Sequence, residues 1–350
     1  MVYTNDKNFS NYSKQTVDHI IRKEIIEALP LNIRNIIRLI PEKILIDMEE
    51  IRLRINRPLI IYVRNRDYQV NEKGELVSAT AQGYMITKDD MEKAYQLITN
   101  YSIYALEDEI RQGFITLLGG HRVGICGRVV LDKNQIKTIK DISGLNIRIA
   151  KQKIGISDRL MSYLLSSNTE FYNTLIVSPP QCGKTTLLRD IVRNLSNGMD
   201  NPQYTGFKVG VVDERSEIAA CFNGIPQNNI GIRTDVLDGC PKAEGIMMLI
   251  RSMSPEIIAT DEIGKKQDMD AIEEALSAGI KLITTVHGKD LKDVIRRPLL
   301  SRFIKTSIFE RIIILTNKPK VGSIHCIIDG STHKAINTYS FVNGGNECVC

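Results

Sequence analysis

Ser178 to Thr186 read SPPQCGKTT, a run ending in the glycine–lysine–threonine triplet that chains use to wrap a polyphosphate. In such a turn, successive backbone N–H groups form a concave anion nest, backed by the positive end of the helix that follows. Gly183 permits close approach of the backbone, Lys184 would reach the β and γ phosphates, and the Thr185 hydroxyl would ligate Mg²⁺. Ser178, Pro179, Pro180, Gln181, Cys182 and Thr186 complete the expected binding loop. Ser178 stands where the pattern G-x-x-x-x-G-K-[ST] opens with glycine. That position only starts the turn, and a serine can take such a conformation.

A phosphate loop hydrolyses nothing by itself. It needs a carboxylate on the Mg²⁺ side and a group that orients water. PEIIATDEIG supplies an apolar strand ending in Asp261 and Glu262. VGVVDERSE ends in Asp213, Glu214 and Glu217, and IKLITTVHG ends in Thr284, Thr285 and His287. In parallel sheets functional groups gather at the carboxyl ends of strands, so these three ends would share a rim with the loop. Thr185, Asp261 and Glu262 are the expected metal-side residues. Asp213, Glu214 and Glu262 are the candidates for catalytic carboxylates, and His287 is placed to sense the γ phosphate. Any one of them alone would read equally well as a helix-capping acid or a core histidine. DEIG fits a GTPase D-x-x-G and ILTNKPK starts like N-K-x-D, but the last position is Lys320, which cannot accept from guanine. ATP is the expected nucleotide.

The elements that must position these residues follow from periodicity. Residues 172 onward alternate short, fully apolar strands with helices, the pattern of a mostly parallel sheet covered on both faces. NTLIVS, KVGVVD, EIIAT and KLITTV are its strands, and ERIIILTN and SIHCIID form a closing antiparallel pair. Upstream, residues 1–15 look like a disordered tail and 16–40 like two short helices split at Pro30. IRLRINRPLIIYV alternates as a strand. The stretch from Thr87 to Gly113 reads as helical, opening on a Thr87–Asp90 cap. GFITLLGGHRVGICGRVVLD is strand, Gly-Gly turn, strand, and ISGLNIRIA a further short strand before a helix over about 157–166. The expected organisation is an α+β domain over 16–152 and an α/β domain over 153–350.

Composition bounds the rest. The net charge of +5 suits anionic partners without demanding any. Seven cysteines, odd in number and scattered, predict reduced thiols of a cytoplasmic compartment, and neither His325–Cys326 nor the Cys348/Cys350 tail has a metal-site spacing. No apolar leader opens the chain and no apolar run is long enough to span a bilayer, so a soluble or at most peripheral protein is expected.

Taken in order, VVDERSE, IIATDEIG and LITTVHG resemble the aspartate box, Walker B strand and histidine box of the type II/type IV secretion ATPase superfamily. A narrower resemblance runs from about Glu49 to His287. LEDEIRQGFITLLGGHRVGICGRVV, ISGLNIRIA, SPPQCGKTTLLRD, VVDERSEIAACFNG and RTDVLDGCPKAEGIMMLIRSMSPEIIATDEIG are similar to the stage III sporulation AA family of endospore-forming bacteria. The resemblance implies a RecA-like P-loop ATPase domain behind a smaller α+β domain. It also implies a homo-oligomeric ring, hexameric in form, that binds ATP and Mg²⁺. The ring would serve membrane-embedded components of a sporulation channel between mother cell and forespore. In such rings nucleotide is sandwiched between domains, which makes Arg122, Arg128 and Arg148 candidates for stabilising transferred charge, with Arg215, Arg233 and Arg251 from the ATPase side. Ser178 departs from the family's glycine.

Two rival readings carry their own signals. Arg52, Arg54, Arg57, Arg64 and Arg66 could follow nucleic-acid phosphates in a nucleic-acid-stimulated ATPase, but aromatics for stacking are sparse and an amphipathic strand with a wet face explains them. A non-hydrolysing nucleotide-binding scaffold has only Ser178 in its favour.

Overall fold

The structure, a computed structural model, describes residues 23–64, 66–77, 82–100, 102 and 106–337. The expected tail over 1–15, the start of the first expected helix, and Cys348 and Cys350 lie outside these residues. The chain divides into two compact units, Met1–Lys151 and Gln152–Cys350.

In the first unit, prolines set the helix starts. Leu31–Arg38 follows Pro30 and Glu42–Leu45 follows Pro41, after a first turn at Lys23–Glu27. Their isoleucines at helical spacing, Ile25, Ile26, Ile33, Ile36 and Ile37, are buried against an antiparallel sheet. The run expected as one strand over 51–63 is a hairpin of β1 (Met48–Arg54) and β2 (Ile60–Val63). Asn56 turns the chain at φ 58°, and Pro58 has no N–H to continue a ladder. β3 (Arg66–Val70) and β4 (Leu76–Val77) extend the sheet on that side.

Thr87 and Asp90 exchange both bonds of a capping box at the head of the helix Lys88–Ile98. That helix ends early: Asn100 takes φ 46°, and a separate helix spans Glu107–Gln112. β5 (Phe114–Leu117) then turns through Gly119 and Gly120, φ 84° and 77°, into β6 (His121–Asp132). β7 (Gln135–Arg148) starts seven residues before the expected strand, because QIKTIKD pairs with β6 alone as a two-stranded ribbon before joining β1. The strand order is β4-β3-β2-β1-β7-β6-β5.

The second unit opens with a 3₁₀ turn, Asp158–Leu160, and one short helix, Met161–Leu164, in place of the longer helix expected there. Two small hairpins, β8 (Leu165–Ser167) with β9 (Glu170–Phe171) and β11 (Met199–Asp200) with β12 (Gln203–Tyr204), flank β10 (Thr174–Ser178) and its helix Lys184–Asn197. The main sheet adds β13 (Val209–Asp213), β14 (Thr234–Asp238), β15 (Ile257–Glu262), β16 (Lys281–His287), β17 (Arg311–Thr316), β18 (Ser323–Asp329) and β19 (Ala335–Asn337). Its order is β14-β13-β15-β16-β10-β17-β18-β19; the first six run parallel, and β18 and β19 close it antiparallel.

Both faces are covered, as the apolar strands require. Ile176, Val211, Ala259, Ile283 and Ile313 pack on one side with Leu187, Leu188 and Ile191 of the helix after β10. Their strand neighbours Leu175, Val177, Val212, Ile258 and Leu282 pack on the other with Ile246 and Leu249 of Lys242–Ser252 and Met269 and Ile272 of Lys266–Ser277. Among the described residues no helix is long and apolar enough to cross a membrane.

Candidate functional site

β10 is buried along its whole length and delivers the chain to the loop. Ser178 takes no positive φ, so its backbone does not call for glycine. Its Oγ, wholly buried, donates to the Pro179 carbonyl at 2.7 Å. The conformational demand falls later, at Gln181 (φ 59°) and Gly183 (φ 80°), the residue before the helix. An αL glutamine is strained, the kind of backbone that a binding loop holds in place through its surroundings. Pro180 and Gln181 are exposed, Cys182 is buried, and Lys184, Thr185 and Thr186 are half-buried on the first turn.

The parallel register sets Ser178 beside His287, and β16 in turn pairs with β15. Lys184, His287 and Glu262 therefore converge. Lys184 Nζ is 3.2 Å from His287 Nε2, which is 3.1 Å from Glu262 Oε2. One ring nitrogen is thus shared by a donor and an acceptor. A neutral imidazole can satisfy only one of them: Nε2–H donates to Glu262, or bare Nε2 accepts from Lys184. Nδ1 is buried without a hydrogen-bond partner.

The acids at the next strand ends divide into two kinds. Asp213 is wholly buried, and its carboxylate accepts from the backbone N–H groups of Glu217, Ile218 and Ala219 at 2.8, 2.9 and 2.8 Å. Burial pushes it up to about 6 against the pull of those amides. Both of its oxygens are spent on the loop after β13, so it is placed to hold that loop rather than to polarise water, the role expected for it from sequence. Arg189 clamps the same loop from the helix Lys184–Asn197, donating to the carbonyls of Glu217 and Ile218.

Glu214 and Asp261 meet through a residue that the sequence did not flag. Lys242, 5% exposed, ion-pairs with Glu214 and lies 2.8 Å from Asp261 Oδ1. Burial alone would lift Glu214, but Lys242 and then Lys265 outweigh it and the net shift is downward. Asp261 is pushed up, because its burial and the neighbouring Glu217 and Glu214 exceed the help of Lys242. Lys242 itself is raised: its two carboxylates outweigh the cost of its burial. Asp261 Oδ1 is buried, touches the ammonium and accepts no well-directed hydrogen bond. An anionic oxygen so placed fits a divalent-cation shell that takes one or two protein carboxylates and completes itself with phosphates and water.

Of the expected arginines, Arg122, Arg128 and Arg148 lie on the first unit. Arg122 and Arg148 are opposite one another on β6 and β7. Arg122 lies over the Phe114 ring at 4.2 Å, and Arg148 reaches Glu50 at 3.7 Å. Arg128 pairs with Asp141 on the ribbon. In the second unit, Arg233 donates to the Ser196 and Asn197 carbonyls, at the end of the helix Lys184–Asn197. Of the basic strand, Arg52 is tied to Glu50 and lies over Tyr62, and Arg64 is tied to Asp47.

A second element that sequence reasoning passed over is the β17–β18 turn. Gly322 and Val321 lie so close to Gly183 that an added Cβ there would meet them at 3.5 and 3.7 Å. Its one sequence signal is NKPK, in which Lys320 offers guanine no acceptor. Cys126, Cys182, Cys221 and Cys240 are free thiols, but Cys326 is disulfide-bonded, a departure from the expectation of reduced thiols throughout.

The family described as sporulation stage III, protein AA, matches residues 20–335. The chain belongs to that family. The stage III sporulation protein AA of Bacillus subtilis (strain 168) is 43% identical over 325 residues, 93% of this chain and 99% of the relative. Among solved structures, the Legionella pneumophila ATPase DotB superposes with a TM-score of 0.50 at 15% identity, covering 80% of this chain and 74% of that one. The pilus retraction motor PilT with bound ADP gives 0.50 at 14% identity, covering 80% and 78%. At these identities the likeness is one of fold. The second unit is RecA-like α/β with a largely parallel sheet, and an antiparallel-sheet α+β unit precedes it.

Proposed function

We propose that this chain is a Mg²⁺-dependent ATPase of the secretion-ATPase type, converting ATP and water to ADP and phosphate. The observation that carries the reading is the meeting of Lys184, at the start of the helix after β10, with His287 and Glu262 from the ends of β16 and β15, three segments far apart in sequence. The family supports the sporulation setting, and the fold shared with PilT, solved with ADP, supports a nucleotide.

In this reading the backbone N–H groups from Gln181 to Thr185 cradle the phosphates, and Lys184 leaves His287 for the β and γ oxygens. That move ends the competition at Nε2, which then donates to Glu262 alone and fixes this carboxylate in the orientation of a general base for water. Thr185 and Asp261 would hold a magnesium ion, whose bound charge would offset that building on the transferred phosphoryl group. Glu214 stands behind Asp261, and Asp213 positions the loop between them. Arg122 and Arg148 would supply cationic charge across the interface of a hexameric ring. The ring would work in the cytoplasm, held peripherally by membrane-embedded components of a channel between mother cell and forespore.

Phosphate release from Mg²⁺ and ATP, followed over a series of protein concentrations, tests this. Specific activity is expected to rise as rings form, and Lys184→Ala to abolish release at an unchanged thermal midpoint. Wild-type turnover by Lys184→Ala refutes it.

A further inference from the structure

Lys242 is where the fold would be expected to avoid a cation. It is the first residue of the helix Lys242–Ser252, where the helix dipole disfavours positive charge, and its side chain is 5% exposed. Lysines are almost never so buried unless paired. Both costs are offset by the same two acids, Glu214 from the end of β13 and Asp261 at 2.8 Å from the end of β15. Lys265, the other cation near Glu214, is 3.6 Å away and 72% exposed, a weak second partner.

The ammonium is held there by the packing of its helix. Pro241 fixes the entry at φ −55°. One turn on, Gly245 lies so close to β13 that an added Cβ would stand 2.5 Å from Val212 Cγ1. Without Lys242, the two carboxylates at the ends of adjacent strands would have only the exposed Lys265 nearby, on the Glu214 side. Among the described residues no group of three or more His, Cys, Asp or Glu could hold a metal by itself. A divalent cation at this rim therefore depends on phosphates brought with it, and the acids need another counter-charge when none is bound.

We propose that Lys242 is the resident counter-cation of the Glu214–Asp261 pair. It holds the ends of β13 and β15 together in the nucleotide-free chain, and Asp261 gives it up when metal and nucleotide enter. Lys242 is thus a positioning residue. Only the second half of the proposal rests on the ATPase reading above.

The test is Mn²⁺ binding to the full chain without nucleotide, read by electron paramagnetic resonance, for wild type, Lys242→Met, Lys242→Gln and Lys242→Arg. With a unit positive charge removed at contact distance, Met and Gln variants are expected to bind Mn²⁺ about tenfold more tightly or better. The Arg variant keeps the charge and stays near wild type. The Gln variant keeps the measurement available if the Met variant does not fold. Unchanged or weaker Mn²⁺ binding by a folded Met or Gln variant overturns the proposal, as does equal tightening in the Arg variant. A wild-type chain that releases no phosphate from ATP sinks the ATPase reading and leaves the Mn²⁺ result to decide this one.

Discussion

Asp190 allows the sharpest stability prediction. It lies on the helix Lys184–Asn197 and is 3% exposed. Its carboxylate accepts from Gly155 N at 3.0 Å and from Ser157 N, Ser157 Oγ and Arg193 Nε at 2.8 Å each. The first residues of the second unit are thereby clamped to the helix that carries Lys184. Asp190→Ala strands these donors in a buried site, and removing one partner of such a charged network costs about 3–5 kcal/mol. Asp190→Asn keeps the shape and one acceptor oxygen and should cost about half as much. The pH dependence has a definite sign. Burial raises this carboxyl, but Ser157, Arg193 and Gly155 outweigh it and the net shift is downward. The stabilisation is therefore complete above the ordinary aspartate range and is lost as pH falls through the lowered folded-state value. Urea unfolding of wild type and both variants at pH 7 and at successively lower pH measures it. A cost for the alanine variant under about 1 kcal/mol at pH 7, or a gap from wild type that widens in acid, would refute the reasoning.

Other consequences follow from the same geometry. Glu262→Gln keeps a neutral acceptor for His287 but removes the base, so nucleotide binding should persist while turnover falls by about 10²-fold or more; parallel binding and phosphate-release assays decide it, and a turnover within a few-fold of wild type would dismiss Glu262. Asp213, pushed up to about 6 by burial, gives the opposite pH sign to Asp190. Its protonated form is favoured by folding, so its contribution is present below the unfolded value near 4 and is lost as pH rises through about 6, by up to about 3 kcal/mol. Asp213→Asn should remove that component, making the wild-type-minus-variant stability difference shrink from pH 4 to pH 7; a difference flat with pH would count against it.

Much of the second unit was legible because its central strands are buried on both faces and read as unbroken apolar runs. NTLIVS, KVGVVD, EIIAT and KLITTV became β10, β13, β15 and β16, and their polar ends reach the same rim. β14 escaped notice because TDVLD, at the sheet edge, carries two aspartates and is only half-buried. The QIKTIKD half of β7 was missed for a related reason: a ribbon wet on both sides has no buried face to impose a pattern. The apparent single strand over 51–63 hid a reversal at Asn56, where a left-handed backbone outweighed the continuing alternation.

At the site, the residue types pointed to Lys184, Glu262 and His287, and the fold brings these three side chains together. They could not separate Asp213 from Glu214, since which acid is consumed by backbone amides depends on how the loop after β13 folds back. Lys242 was invisible: a lysine after a proline at a helix start looks like a solvated one, and only the packing of its helix on β13 places it between two carboxylates.

The central claim is that Lys184 exchanges a histidine for a phosphate. A crystal structure with Mg²⁺ and a non-hydrolysable ATP analogue reads this directly. The account predicts Lys184 Nζ within hydrogen-bond distance of a β or γ oxygen, and His287 Nε2 bonded to Glu262 alone. A triphosphate seated elsewhere, or Lys184 still 3.2 Å from His287 with the analogue bound, would contradict it.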